Sequence, residues 1–326
     1  MLLLVMLSSI ALQFTAVKSI GVCYGVNGDN LPSRQEVIDL YKANGIGRMR
    51  IYYPDEDALK DLRGSNIEVL LDVAKETLSS LTDPASANDW VNKFVTSYSD
   101  VNIKYIAVGN EISPSDNEAQ YILPGMQNIQ KAISASNLQD KVKVSTAIKM
   151  DLLENTSPPN NGKFSDAATP YIQPIINFLV NNGAPLLANV YPYFAFSDPN
   201  SNIPLDFVLF RQQGTNDQGY QNLFDAMLDS IYYALEKIGA PNLPVVVSES
   251  GWPSAGGDKG PSVDNARTYY QNLINHVNQG TPKHNGAIET YLFAMFDENN
   301  KGGLDTERHF GLFNPDKSPK YGINFS

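Results

Sequence analysis

The stretch VVVSESGWPS, Val245 to Ser254, holds an abrupt change of character. Val245-Val246-Val247 is β-branched and apolar, the composition of a buried strand. Glu249 then stands between two serines, and Gly251-Trp252-Pro253 breaks the strand directly afterwards. A strand that lines a closed parallel barrel is apolar along its length and presents a functional side chain at its C-terminal end. The rest of the chain decides whether this is such a strand.

Working outward, similar short runs recur at wide intervals. They are IGVCYG from Ile20, RMRIYY from Arg48, IEVLLDV from Ile67, KYIAVGNE from Lys104, VKVSTAI from Val142, LLANVYPY from Leu186, PVVVSES from Pro244 and AIETYLFAMF from Ala287. Each is bounded by polar or turn residues, a strand signal. Helical patterns fall between them. Ser33 and Glu36 form a capping box ahead of the stripe Val37, Leu40, Tyr41. Phe224, Met227, Leu228, Ile231, Leu235 and Ile238 make a second stripe, and Ala266, Tyr269, Tyr270, Leu273 and Val277 a third. Further helices are expected near residues 56–63, 86–98, 117–136 and 170–181, with a short, loop-like eighth crossover after Phe296. Strands alternating with helices in this way predict a single (β/α)8 TIM barrel. A doubly wound open sheet would need a Gly-rich phosphate turn early on, and YGVNGDNLPS lacks the G-x-G-x-x-G order.

Bulk properties narrow the function. The 326-residue chain is 42% hydrophobic and only 18% charged, with a formal charge of -11. An acidic surface repels phosphate backbones and anionic lipid, so neither nucleic acid nor membrane is an expected partner. Residues 1–19, MLLLVMLSSIALQFTAVKS, read as a signal peptide: a short apolar run ending in Val17-Lys18-Ser19, although without an initial Lys or Arg. Ser8, Ser9, Gln13 and Thr15 interrupt the apolar run that a membrane anchor would need. The catalytic domain is then 20–326. Cys23 is the only cysteine, so no internal disulfide is possible, and it reads as a small core residue. Asn155-Thr156-Ser157 is an acceptor triplet for N-glycosylation, with Pro158 after it disfavouring occupancy; Asn324-Phe325-Ser326 also matches, at the chain end.

The strand ends carry the chemistry. The fourth ends on Asn110 and Glu111, the seventh on Glu249, the sixth on Tyr191, the second on Tyr52 and Tyr53, and the eighth leads into Phe296, Glu298 and Lys301. Cleavage of an acetal needs a proton donor on the leaving oxygen and a second carboxylate on the other face of the sugar. Neighbouring carboxylates separate acid from nucleophile by pushing their pKa values apart. Aromatic rings offer flat faces to pyranose rings, and Asn110 is placed to bond a hydroxyl beside the reacting carbon. A lone strand-end Glu is ordinarily a solvated loop carboxylate, and aromatic residues in strands are ordinarily core. Two carboxylates at separate strand ends, one beside Asn and one beside Trp, favour a site. Trp252 is expected to stand against Glu249 and partly desolvate it.

These same residues carry a family resemblance. VVVSESGWPS, MRIYYPD, YIAVGNEISP, VSTAI, LLANVYPYF, ETYLFAMFDENNK and FGLFNPDKSPKY resemble, in order from Ile20 to the C-terminus, the plant β-1,3-glucanases of glycoside hydrolase family 17. The resemblance implies endo-hydrolysis of β-1,3-glucan with retention, in a (β/α)8 barrel. It implies Glu111 as acid/base, Glu249 as nucleophile, and Glu298, Lys301 and Glu307 as a supporting set. Tyr52, Asn110, Tyr191, Trp252 and Phe296 are the expected substrate contacts. Lys149 departs from the family pattern without touching a catalytic position. The ending INFS carries neither a hydrophobic tail nor the extension of vacuolar relatives, so secretion to the cell wall space (the apoplast) is expected rather than the vacuole. The partner is a polysaccharide, the protein a monomer, and no cofactor or metal is expected.

Other readings remain distinct. A mixed-linkage β-1,3-1,4-glucan hydrolase or a transglycosylase would share the catalytic pair. A non-catalytic β-glucan-binding barrel would be expected to lack a carboxylate, yet both are present. A Schiff-base enzyme would use a desolvated Lys149. His276, His284 and His309 are not in H-E-x-x-H order, and no G-x-S-x-G follows a strand.

Overall fold

The computed structural model describes residues 20–325. The expected signal peptide, residues 1–19, and the end of the second acceptor triplet therefore lie outside the described residues. In chain order the elements are β1 (Ile20–Tyr24), α1 (Arg34–Ala43), β2 (Arg48–Ile51), α2 (Glu56–Asp61), β3 (Glu68–Asp72), α3 (Pro84–Phe94), β4 (Asn102–Asn110), α4 (Ala119–Ala135) and β5 (Lys143–Lys149). Then come the short strands β6 (Leu153–Glu154) and β7 (Lys163–Phe164), α5 (Thr169–Asn182), β8 (Leu186–Asn189), α6 (Pro192–Ser197), α7 (Leu205–Val208), α8 (Leu223–Lys237), β9 (Val245–Ser250), α9 (Val263–His276) and β10 (Thr290–Leu292).

Eight strands close a parallel barrel in the order β1-β10-β9-β8-β5-β4-β3-β2, so every expected strand is present and the single (β/α)8 fold stands. β6 and β7 form a separate antiparallel pair in the β5–α5 connection, which no periodicity foretold. Their two residues apiece are too few to leave an alternating pattern. α1 starts as expected: Ser33 Oγ accepts from the Glu36 N–H, and the Ser33 N–H donates to Glu36 Oε2 at 3.0 Å. β10 is shorter than its apolar run suggests, ending at Leu292. No α-helix follows β10; the described chain closes with a 3-10 turn, Asp305–Arg308. No helix among the described residues is long and apolar enough to cross a membrane.

Valines, leucines and isoleucines of the strands are buried in the core, and Cys23 is enclosed on the Arg50 side of the barrel wall, its Sγ 3.4 Å from the Ser248 carbonyl oxygen. The N-terminal mouth is stoppered by ion pairs. Arg48 Nε bonds Glu68 Oε2 at 2.5 Å, and Lys104 Nζ bonds Glu289 Oε2 at 2.8 Å. The C-terminal mouth is open and carries the site.

Two register slips shape that mouth. On β4, Ala107 pairs with Ser145 but Asn110 with Ala147, so β4 carries one extra residue. On β9, Val247 pairs with Ala188 but Glu249 with Asn189, again one extra. Such bulges re-aim the side chains that follow them. Gly251 then turns the chain away where it passes β10: a Cβ there would lie 2.4 Å from the Phe293 carbonyl oxygen. Gly251→Ala must displace backbone rather than a flexible side chain. Urea unfolding should show the variant destabilised by about 1–3 kcal/mol, the usual range for overpacking.

Candidate active site

The C-terminal mouth holds a cavity of about 670 Å³ lined by Tyr52, Asn110, Glu111, Tyr191, Glu249 and Glu298, among others. Its floor is organised by Arg50. The guanidinium is fully buried, and four barrel strands converge on it. Nη2 donates to Asp72 Oδ2 at 2.7 Å and to Asn110 Oδ1 at 2.9 Å. Nη1 donates to Glu249 Oε1 at 2.9 Å and to Asn189 Oδ1 at 3.2 Å. The Tyr52 ring covers its carbon at 4.7 Å, a cation–π contact. Burial alone would pull the Arg50 pKa down; the carboxylates of Asp72 and Glu249 outweigh it and hold Arg50 charged.

Glu249, raised by the β9 bulge, meets three donors. Oε1 accepts from Arg50 and from the Tyr52 hydroxyl at 2.8 Å; Oε2 accepts from the Tyr191 hydroxyl at 2.6 Å. An ionised carboxylate accepts only, so this donor set matches it. Glu111 is held differently. Its backbone sits in the left-handed region at φ 56, and its N–H donates to the Ala147 carbonyl at 2.9 Å. A non-glycine residue there is uncommon and clusters at functional sites. Asn189 Nδ2 donates to Glu111 Oε1 at 2.8 Å and to Asn110 Oδ1 at 3.0 Å. Burial, and after it the charge of Glu249, push the Glu111 carboxyl above the usual range, partly opposed by Asn189, Arg50 and Lys149. Asn189 and Arg50 thus link the two carboxylates in one hydrogen-bonded chain.

The third set also comes together. Glu298 is buried and accepts from the Asn27 N–H at 2.9 Å; burial pushes its carboxyl up. A Cβ on Gly25 would fall 2.3 Å from its oxygens, so only glycine leaves it room. Lys301 Nζ pairs with Glu307 Oε2 at 3.1 Å and lies 4.1 Å over the Phe293 ring.

Two expected contacts are corrected. Trp252 is wholly enclosed: its ring packs on Tyr193, Phe196 and Tyr269, and Nε1 donates to the Gly260 carbonyl at 3.0 Å. The turn at Gly251 carries the indole behind the wall instead of onto it, so it supports the aromatic layer and leaves Glu249 to Arg50 and the tyrosines. Phe296 is buried as well, edge-on to Tyr24 and within the segment bridged to Phe313. Because β10 ends at Leu292, the ring that reaches the cavity is Phe293. Tyr52, Asn110 and Tyr191 do line the cavity. With Asn110 Oδ1 occupied, its Nδ2 end is the donor left for a ligand. Lys149 pairs with Asp151 at 2.9 Å, and that bond raises its pKa, the opposite of a desolvated amine nucleophile.

Arg50, Asp72, Asn189, Phe194, Phe293 and Phe310 were not expected from the sequence. RMRIYY did hold a signal: arginines at alternate positions of a buried strand put cations inside the barrel and require partners. Among the described residues no group of three or more His, Cys, Asp or Glu is placed to hold a metal.

Comparison with known proteins agrees with this geometry. The profile of glycosyl hydrolases family 17 matches residues 20–325. The chain belongs to this family. A glucan endo-1,3-beta-glucosidase of Vitis vinifera is 57% identical over 95% of this chain and 92% of its own length. An acidic isoform of glucan endo-1,3-beta-glucosidase from Nicotiana tabacum is 54% identical over 100% and 96%. The solved structure of a beta-1,3-glucanase and allergen of Cryptomeria japonica pollen superposes with a TM-score of 0.90 at 47% identity, covering 94% of this chain and 99% of that one. This glycoside hydrolase shares its length with all three and its barrel with the solved structure.

Burial pushes the Asp72 carboxyl up to about 6 despite its contact with Arg50. The folded state thus holds this proton more tightly than the unfolded chain does. The stability so gained is full below the ordinary Asp range and is lost as pH rises through about 6. Asp72→Asn removes that loss. Measured by urea unfolding, wild type should lose up to about 3 kcal/mol more than the variant between pH 4 and 7, one pKa unit being worth about 1.4 kcal/mol, while the variant bears the cost of an Arg50 charge without its Asp72 partner at every pH.

Proposed function

We propose that the protein is a secreted endo-hydrolase of β-1,3-glucan that works by retaining double displacement. The observation that carries the reading is the unequal treatment of two carboxylates in one mouth. Three donors grip Glu249, while Glu111 is half-buried and pushed towards its protonated form. That division assigns the general acid to Glu111 and the nucleophile to Glu249.

In the first step the Glu111 proton passes to the glycosidic oxygen as Glu249 attacks the anomeric carbon from the opposite face. The reducing-end fragment leaves, and the remaining glycan is held as an ester of Glu249. Glu111, now a carboxylate, takes a proton from water, which attacks the same carbon and frees Glu249. Two inversions restore the original configuration. Asn110 Nδ2 supplies a donor for the neighbouring sugar hydroxyl. Glu298 and the Lys301–Glu307 pair shape the wall on the β1 and β10 side, touching Asn27 and Phe293.

Endo action is supported by the open mouth. Tyr53, Phe194 and Leu304 line the cavity yet are exposed, Leu304 at 69%, so apolar faces are offered to sugar rings beyond the cleavage point. The β-1,3 linkage is proposed because the similar plant proteins carry that activity in their names. Secretion to the cell wall space is supported by the signal-peptide pattern and by likeness to an acidic isoform. Action as a monomer on a polysaccharide fits a site built wholly within one chain.

Incubation with linear β-1,3-glucan should release short oligomers, and the anomer formed first, read by NMR, should be β. A first-formed α anomer contradicts retention, and preferential cleavage of mixed-linkage glucan contradicts the linkage. Glu249→Gln should fold normally and lose more than about a thousandfold in kcat. Glu111→Gln should lose about 10²–10⁴-fold, the range for general acid–base catalysis. Because Glu111 holds its proton above the usual range, the alkaline limb of kcat/KM should lie above that of a free glutamate. A limb at the ordinary Glu value contradicts the acid assignment.

A further inference from the structure

A second cavity, of about 480 Å³, lies on the other side of α6 from the active site. Phe194 faces the catalytic cleft, whereas Ala195, the next residue, lines this one. Its floor is apolar, with Phe207, Leu223 and Met227, and Phe207 belongs to a small cluster with Tyr220 and Ala226 distinct from the main core. Its rim is polar: Thr156, Ser157, Gln212 and Gln218. Gln218 Nε2 donates to Ser157 Oγ at 3.2 Å, fixing that edge. None of the catalytic residues lines it, and the mechanism above makes no use of it.

Thr156 and Ser157 are also the second and third residues of the acceptor triplet. Asn155 itself is exposed, with a left-handed backbone at φ 55. A sugar joined to its side chain therefore begins one residue from the cavity rim. The lining suits such a sugar. An N-acetylhexosamine carries a methyl group and a C–H face for the phenylalanine and methionine floor, and an amide and hydroxyls for the glutamine rim. The volume falls within the usual range for a small-molecule site.

We infer that Asn155 carries an N-linked glycan whose first sugars seat in this second cavity. The inference rests on the proposed secretory route. The bond joins Asn155 Nδ2 to the anomeric carbon of a lipid-pyrophosphate-linked oligosaccharide, with loss of an amide proton and departure of the pyrophosphate carrier. Seated there, the glycan shields the apolar cluster of Phe207 and ties the β5–α5 connection to α7 and α8.

The test is expression of the full chain in plant cells, followed by glycopeptide mass spectrometry and by enzymatic glycan release from the folded and the denatured protein. The expected result is a secreted protein with a glycan at Asn155, released at least about tenfold more slowly from the folded form, since release then needs local opening. Asn155→Asp, which keeps a residue tolerant of left-handed backbone, should melt at a lower temperature than the glycosylated protein. Secretion without a glycan overturns the inference and leaves the secretory reading standing. Retention in the cell without a glycan overturns both. A glycan released equally fast from folded and denatured protein overturns the seat.

Discussion

The ion pair between Arg50 and Glu249, 2.9 Å long and with its guanidinium fully buried, is the contact on which the active mouth depends. A buried guanidinium is costly unless its donors are met, and here Asp72, Asn110, Asn189 and Glu249 meet them from four different strands. Each partner is thereby fixed relative to the others. Removing one would leave a buried charge uncompensated, so the network specifies geometry more than it adds stability. Asp72 completes it from the side away from Glu249, and its raised pKa marks the cost of burying a carboxylate there.

The strands aim what Arg50 holds. Regular alternation would turn Ser248 and Glu249 to opposite faces. The β9 bulge lets both address the barrel interior, Ser248 Oγ bonding Asn189 Oδ1 at 2.8 Å while Glu249 meets Arg50. The β4 bulge and the left-handed turn at Glu111 do the same for Asn110 and Glu111. Local irregularity thus sits on a rigid barrel, an arrangement suited to holding the proposed reacting groups in place. Behind it, Trp252, Tyr193 and Phe310 stack edge to face and back the wall that Tyr191 and Phe293 present.

Much of this was legible in the sequence. The strand runs, the capping box at Ser33 and the carboxylates closing VGNE and VSES fixed the barrel and its active end, because period-two burial and strand-end placement are local signals. Trp252 and Phe296 misled because adjacency in sequence says nothing about which way a turn carries the next side chain. Gly251 directs the indole outward, and the early end of β10 puts Phe293 where Phe296 was expected. Arg50 and Asn189 went unremarked since their roles exist only across the barrel, between residues 22 to 199 positions apart. The β6–β7 hairpin was too short to show.

The most direct measurement is a covalent trap. A β-1,3-linked oligosaccharide fluoride bearing fluorine at the 2-position should form the glycosyl ester quickly and release it slowly. After proteolysis and mass spectrometry, the added mass should map to the peptide containing Glu249, and prior occupation of the cleft by β-1,3-oligosaccharide should prevent it. An adduct on Glu111 or Glu298, or rapid turnover of the fluoride with no adduct at all, would contradict a nucleophile held by Arg50 at the end of the seventh barrel strand.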